Sequence, residues 1–134
     1  MMMGIPASGK TTQAKKLAEK YNAKIHSYDD IVDISDIFGT NKRWIENMRK
    51  DLIKGYSVIC DSTNLTRKSR EWILSQIDFP CEKTLVVMVI PVSECLKRNA
   101  DREGKVEEQR ILDASKIIES PSEKERWDEI YVFQ

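Results

Sequence analysis

The sequence predicts an α/β fold, a parallel sheet with helices on both faces, and three observations predict it. Short apolar runs alternate with segments of helical period, the pattern of strands joined by right-handed helical crossovers. A glycine-rich stretch, GIPASGKTT at Gly4–Thr12, lies between an apolar stub and an amphipathic helix. The unbroken run LVVMVI, Leu85–Ile90, suits a central strand covered on both faces. Five parallel strands are expected in one domain over residues 1–134, with a short helical lid at about 93–108.

Each element has its own signal. The first strand can only be Met1–Gly4, a stub shorter than the usual strand. Ser8 or Gly9 opens a helix to about Lys20, with Ala14, Leu17, Ala18 and Tyr21 at helical spacing. Ala23–Ser27 reads as a second strand. Asp29–Ile37 reads as a short helix, with Ile31, Ile34 and Ile37 three apart. Asn41 caps a further helix, which runs to about Lys54 and stops at Gly55. Tyr56–Cys60 is an apolar strand that delivers Asp61 at its carboxyl end. Thr66–Ile77 is a helix whose Trp72, Ile73 and Ile77 are expected in the core. Lys83–Ile90 is the central strand, Val92–Ala100 and Val106–Ile118 are helices, and Glu129–Phe133 is the last strand.

Composition narrows the class. Of 134 residues, 40% are hydrophobic and 33% charged, as in a soluble globular domain. No apolar run approaches the roughly 18 residues of a membrane helix, and no signal peptide is visible. Cys60, Cys81 and Cys95 have no metal-ligand spacing, and Cys60 and Cys81, in or beside apolar segments, read as small core residues of a cytoplasmic protein. Basic and acidic side chains balance at 22 each, so overall charge offers no attraction to nucleic acid. Locally, Lys42–Glu71 holds eight basic residues against four acids, either a solvated surface or an anion-binding wall.

Four constellations carry chemistry. Gly4–Thr11 satisfies GxxxxGK[ST] in full, the phosphate-binding loop of P-loop NTPases. Its glycines let backbone N–H groups wrap anionic oxygen at a helix N-terminus. Gly4, Ile5, Pro6, Ala7, Ser8, Gly9, Lys10, Thr11 and Thr12 are expected to hold ATP, with Lys10 on the β- and γ-phosphates and Thr11 on magnesium. Asp29 and Asp30 follow the second strand; Asp29 is placed to accept a proton from an attacking hydroxyl, or else to cap a helix. Asp61 ends an apolar strand, as a magnesium-holding carboxylate does, with Ser62, Thr63 and Asn64 adding hydrogen-bonding groups. Arg98 and Arg102, four apart, share a helix face and either neutralise the transferring phosphoryl or form local ion pairs. His26, the single histidine, lies inside a strand and reads as structural.

Taken in order, these segments resemble the kinase domain of bacteriophage 5′-hydroxyl polynucleotide kinase and its bacterial relatives, among the AAA-type and zeta-toxin-like P-loop kinases. The likeness rests on GIPASGKTT, on Asp29-Asp30, on Asp61-Ser62-Thr63-Asn64-Leu65 with Arg70 following, and on Arg98-Asn99-Ala100-Asp101-Arg102. Pro121 and Trp127-Asp128-Glu129-Ile130 resemble the adenine-side segment of the bacterial members. The resemblance implies transfer of the γ-phosphate of ATP to the 5′-hydroxyl of DNA or RNA. It makes Asp29 the general base, Arg102 the lid arginine and Arg98 its assistant. Asp61, Thr63, Asn64 and Arg70 fall on the acceptor side. One position departs: relatives carry an arginine three residues after the catalytic aspartate, and here it is Val32. Arg70, Arg67 or Arg43 would have to replace it.

Two other readings use the same loop. Val32 and the zero net charge favour a kinase for a small acceptor, such as a nucleoside, sugar or antibiotic hydroxyl. A nucleotide-binding switch or ATPase without its own acceptor has little need of a base at Asp29.

Overall fold

A computed structural model describes all of residues 1–134. In chain order the elements are β1 (Met2–Met3), α1 (Lys10–Tyr21), β2 (Lys24–Ser27), α2 (Ile37–Ile53), β3 (Val58–Asp61), α3 (Arg67–Ser75), β4 (Thr84–Met88), α4 (Val92–Asp101), α5 (Glu108–Ile117) and β5 (Glu129–Phe133). Single 3₁₀ turns lie at Tyr28–Asp30 and Glu123–Glu125.

Every strand pair is parallel, but the sheet is not the continuous five-stranded one expected. It consists of a three-stranded sheet in the order β1-β4-β5 and a two-stranded sheet of β2 and β3. The reason is the stub: a two-residue β1 is too short to ladder on both edges. It pairs with β4 through Met2↔Val86 and Met3↔Val87. Toward β3 a seam takes the place of a ladder. The Gly4 N–H donates to the Thr63 carbonyl at 3.0 Å, and the Asn64 amide donates to the Met2 carbonyl at 2.6 Å.

β4 is the central strand that its composition requires. Leu85, Val86, Val87 and Met88 are all buried. Alternation assigns them to opposite faces. Val86 and Met88 pack with Met2, Ile59 and Ala14 of α1, whereas Leu85 and Val87 pack with Met3, Ile118 and Trp127. Across β3, Ile59 likewise faces α1, while Cys60 meets Trp44, Ile45 and Met48 of α2 and Ile73 of α3. Helices therefore cover both faces. Cys60 and Cys95 are buried and Cys81 is half-buried. No helix is long and apolar enough to cross a membrane.

Three local expectations fail, each for a visible reason. Asp29–Ile37 is a single 3₁₀ turn followed by irregular chain, and Ile34 is 87% exposed, so its isoleucine spacing does not mark a buried face. α2 begins at Ile37, four residues before Asn41, because the Asp36 carboxylate caps it by accepting from the Gly39 N–H at 2.9 Å. Asn41 instead accepts from the Tyr28 hydroxyl. Trp72 is 43% exposed and does not join the core, whereas Ile73 beside it does.

Candidate active site

The nucleotide-type loop joins β1 to α1 along the carboxyl edge of the sheet. Two residues in it turn left-handed, Ala7 at φ 63° and Gly9 at φ 91°. Gly4 is needed for closeness: a Cβ there would lie 2.7 Å from Ser8 Oγ and 3.0 Å from Met88 Cβ. Ser8 is fully buried, and its hydroxyl has no hydrogen-bond partner. Lys10 lies over the loop, with Nζ donating to the Ile5 carbonyl at 2.9 Å. Burial lowers its ammonium to about 8, against the attraction of Asp61 and Asp29. A partly desolvated cation of this kind gains most from an anionic ligand.

Asp61 stands opposite. It is 3% exposed and accepts from the Thr11 hydroxyl at 3.0 Å. Burial pushes its carboxyl above the usual range, offset in part by the Thr11 hydrogen bond and by Lys10. One carboxylate, one hydroxyl and the oxygens of a bound phosphate match the donor set magnesium prefers. No group of three or more His, Cys, Asp or Glu side chains forms a protein-only metal cage.

Asp29 is exposed on the turn that follows β2 and enters no side-chain hydrogen bond. It does not cap the turn, whose N-cap is Ser27 without a side-chain bond. Strand register places it at the same edge, since Ser27 at the end of β2 pairs with Asp61 at the end of β3 and Asp29 lies in the turn that follows. The bland reading of Asp29 as a helix cap therefore finds no bond to support it.

The lid pair is arranged differently from expectation. Arg98 sits on α4 beside the loop: Nη1 is 3.5 Å from the Ser8 carbonyl, and Nε donates to Glu94 at 3.1 Å. Arg102 does not share its helix face, because α4 ends at Asp101 and Arg102 is the extended C-cap. Gly104, at φ 66°, turns the chain. The Asn99 side chain then ties the loop back, donating to the Val106 carbonyl at 2.8 Å and accepting its N–H at 3.1 Å. Arg102 is exposed, yet its charge still reaches Lys10.

Arg70 is the main correction. Expected on the acceptor side, it is fully buried, and all five of its N–H donors are occupied. They go to the Asn64, Leu65 and Glu119 carbonyls and twice to the Glu125 carboxylate. Nothing is left for an acceptor. Burial would raise the Glu125 carboxyl, but bonds from Arg70, the Ser122 N–H and Trp127 outweigh it and hold the group below its usual value. Asn64 is likewise buried, its amide spent on the Met2 and Ser62 carbonyls. Thr63 stays half-buried at the edge, with its carbonyl in the seam.

The arginines of the basic stretch are tied to neighbouring groups, while its lysines enter no ion pair. Arg43 pairs with Asp36, Arg49 bonds Asp78 and the Gln76 carbonyl, and Arg67 bonds the Ser120 carbonyl. The candidates to replace the missing arginine at Val32 are thus engaged elsewhere. His26 bonds Asp51 at 2.7 Å, as a structural histidine would.

Sequence reasoning missed two features. An apolar pocket of about 260 Å³ opens beside the loop, lined by Ile5, Val89, Ile90, Val92, Ile118 and Pro121. These residues come from three stretches of chain, so no contiguous motif announces it. A larger groove of about 700 Å³ lies between α2 and α3, rimmed by Phe38, Lys42 and Trp72, and includes no residue of the loop.

Comparison with known proteins bears on the fold and the family. A relative named L-seryl-tRNA(Sec) kinase, from Methanococcus maripaludis, is 26% identical over 143 residues. The match covers 96% of this chain and 55% of the relative, so the chain spans about half of that protein's length. Among solved structures, a sugar kinase from Janibacter sp. HTCC2649 superposes with a TM-score of 0.73 at 19% identity, covering 98% of this chain and 82% of the other. A gluconokinase from Sinorhizobium meliloti 1021 gives 0.69 at 15%, covering 98% and 78%. A deoxyadenosine kinase from M. mycoides with bound dATP gives 0.57 at 13%, covering 99% and 89%. Identities this low establish a shared fold, that of P-loop kinases; a specific likeness to polynucleotide kinases is not what these matches show. Residues 1–121 match the AAA domain family, and with most of its length inside that match and the loop, edge carboxylates and parallel strands in place, the chain belongs to that family.

Proposed function

We propose that this chain is a kinase domain that uses ATP and magnesium to phosphorylate a hydroxyl group on a small acceptor. The observation that carries the reading is Asp29: a carboxylate with no structural partner, on the same sheet edge as Lys10 and the Thr11–Asp61 pair. A nucleotide switch has little use for such a group, and a phosphotransferase needs one.

The roles follow from position. The loop amides of Gly4–Thr12 and the Lys10 ammonium take the donor phosphates, and the apolar pocket beside Ile5 takes the base. Magnesium, when bound at Thr11 and Asp61, would neutralise charge on the β- and γ-oxygens. Arg98 and Arg102 supply further positive charge from the lid. Asp29 accepts the proton of the acceptor hydroxyl as its oxygen bonds to phosphorus, and ADP leaves with the electrons of the broken P–O bond. Thr63 lines the acceptor edge. A small acceptor is favoured over a 5′ end because Arg43, Arg67 and Arg70 are all engaged and Val32 offers no charge. The named sugar, gluconate and deoxyadenosine kinases support the same direction.

The test is transfer of labelled γ-phosphate from ATP with magnesium to sugars, gluconate, nucleosides, seryl-tRNA and 5′-hydroxyl oligonucleotides. Label is expected on a small acceptor and should disappear in Lys10→Ala. Label confined to the oligonucleotides would restore the polynucleotide reading, and hydrolysis without any acceptor would leave only the ATPase reading.

A further inference from the structure

Two segments about fifty residues apart line different parts of the site and are fastened to each other. Ser62–Thr66 continues from Asp61 and includes Thr63, read above as lining the acceptor side; Ile118–Pro121 forms a wall of the apolar pocket beside the loop. Between them, the Glu119 N–H donates to the Leu65 carbonyl at 2.8 Å. The Arg67 N–H donates to the Glu119 carboxylate at 3.1 Å, and Arg67 Nε donates to the Ser120 carbonyl at 2.9 Å. Beneath this exposed stitching lies Arg70. Its Nη1 holds the Asn64 and Leu65 carbonyls at 2.9 and 3.1 Å; its Nε and Nη2 hold Glu125 at 2.7 and 3.3 Å and the Glu119 carbonyl at 3.0 Å. One buried planar group thus has a hand on each segment.

We propose that Arg70, with Glu125, is a positioning residue that couples the donor-base pocket to the acceptor edge, so that a base in the pocket orders Ser62–Thr66. The proposal rests on the nucleotide reading of that pocket given above. Stability alone does not call for this arrangement, since well-packed apolar replacements of buried ion pairs are often as stable. What an apolar cluster lacks is direction. A guanidinium with five fixed donors sets the relative position of the two segments it bridges, and a shift of one displaces the other. Glu125 is itself fixed, accepting from the Ser122 N–H at 2.6 Å and from Trp127 at 3.3 Å.

Amide hydrogen exchange tests the coupling without knowledge of the acceptor. Magnesium ADP fills loop and pocket; magnesium pyrophosphate fills the loop and leaves the pocket empty. Both should slow exchange at residues 4–12. In the wild type, ADP should slow residues 62–66 about tenfold more than pyrophosphate does, within the range usual for linked sites. In Glu125→Gln, which keeps an oxygen for Arg70, and in Arg70→Lys, that excess should fall below about twofold while protection at 4–12 persists. A merely structural role would lower the melting temperature and keep the excess, which would overturn the proposal. No excess at 62–66 in the wild type would overturn it too, leaving the nucleotide reading intact. Absence of protection at 4–12 would remove both.

Discussion

The loop at residues 4–12 and the segment at 28–38 follow β1 and β2 at the carboxyl ends of parallel strands, and they are built in opposite ways. In the first, Gly4, Ile5 and Ser8 are buried, two residues turn left-handed, and Lys10 is desolvated. In the second, one 3₁₀ turn gives way to irregular chain, and Ile34 and Phe38 stand 87% and 91% exposed. A donor triphosphate is the same in every turnover, so a rigid mould can be made for it. Acceptors differ from enzyme to enzyme, and variation concentrates in exposed segments set on a rigid frame. On the proposed reading, the first region holds the donor and the second brings Asp29 to the acceptor hydroxyl, with the exposed chain after it free to vary with the acceptor.

Substitutions can sharpen or break this contrast. The largest effect is expected from Asp29→Asn, which should leave ADP affinity nearly unchanged by calorimetry while lowering transfer about 10²- to 10⁴-fold, the usual cost of losing a general base. Equal transfer in the variant would move catalysis out of the second region. Next comes Arg70→Ala, which strands the buried Glu125 carboxylate and should cost about 3–5 kcal/mol in denaturant unfolding. A smaller loss would mean that water reaches Glu125.

Lys10 gives a pH signature of intermediate size. Its folded-state value of about 8 lies below the ordinary lysine value of 10.5, so between these values the unfolded chain binds more protons. Wild-type stability relative to Lys10→Met should therefore rise as pH goes from 8 to 10.5. ADP affinity should fall over the same interval, because the ammonium is lost. Parallel pH curves for the two proteins would show that Lys10 is not desolvated. The smallest effect is expected from Phe38→Ser, at most about 0.5 kcal/mol in unfolding, as for other exposed sites. A loss of several kcal/mol there would place the second region inside the core.

The sequence made the donor side legible because its residues are contiguous and their spacing is dictated by a phosphate. Asp61 was legible for a similar reason: an apolar strand must end somewhere, and it ends there. β5 was bounded at Glu129–Phe133, as its composition indicates. What was hidden depends on partners far along the chain. Arg70 looks like a surface arginine until Glu125, 55 residues later, is folded against it. Asn64 looks like a ligand-binding amide until the Met2 carbonyl, 62 residues earlier, comes within reach. The Arg98–Arg102 spacing suggested one helix face, and the chain leaves the helix one residue too soon. The start of α2 was misplaced for a local reason, a choice between two good caps, Asp36 and Asn41, that propensity alone does not settle.

The pairing of β1 has a consequence for how the protein comes into being. β1 and the loop that follows it precede most of the domain in the chain, yet their partner strand is β4, with Met2 set against Val86 and Met3 against Val87. β2 and β3, at Lys24↔Val58, close a much shorter stretch of chain. On a ribosome the half of the sheet that carries Asp29 and Asp61 can pair early, while β1 and the phosphate loop have only the two-bond seam to Thr63 and Asn64, and no strand ladder, until β4 emerges. A nascent chain stalled before residue 88 would hold Asp29 and Asp61 without a completed phosphate loop beside them, so on the proposed reading ATP could act as a folding ligand only for chains already synthesised beyond that point.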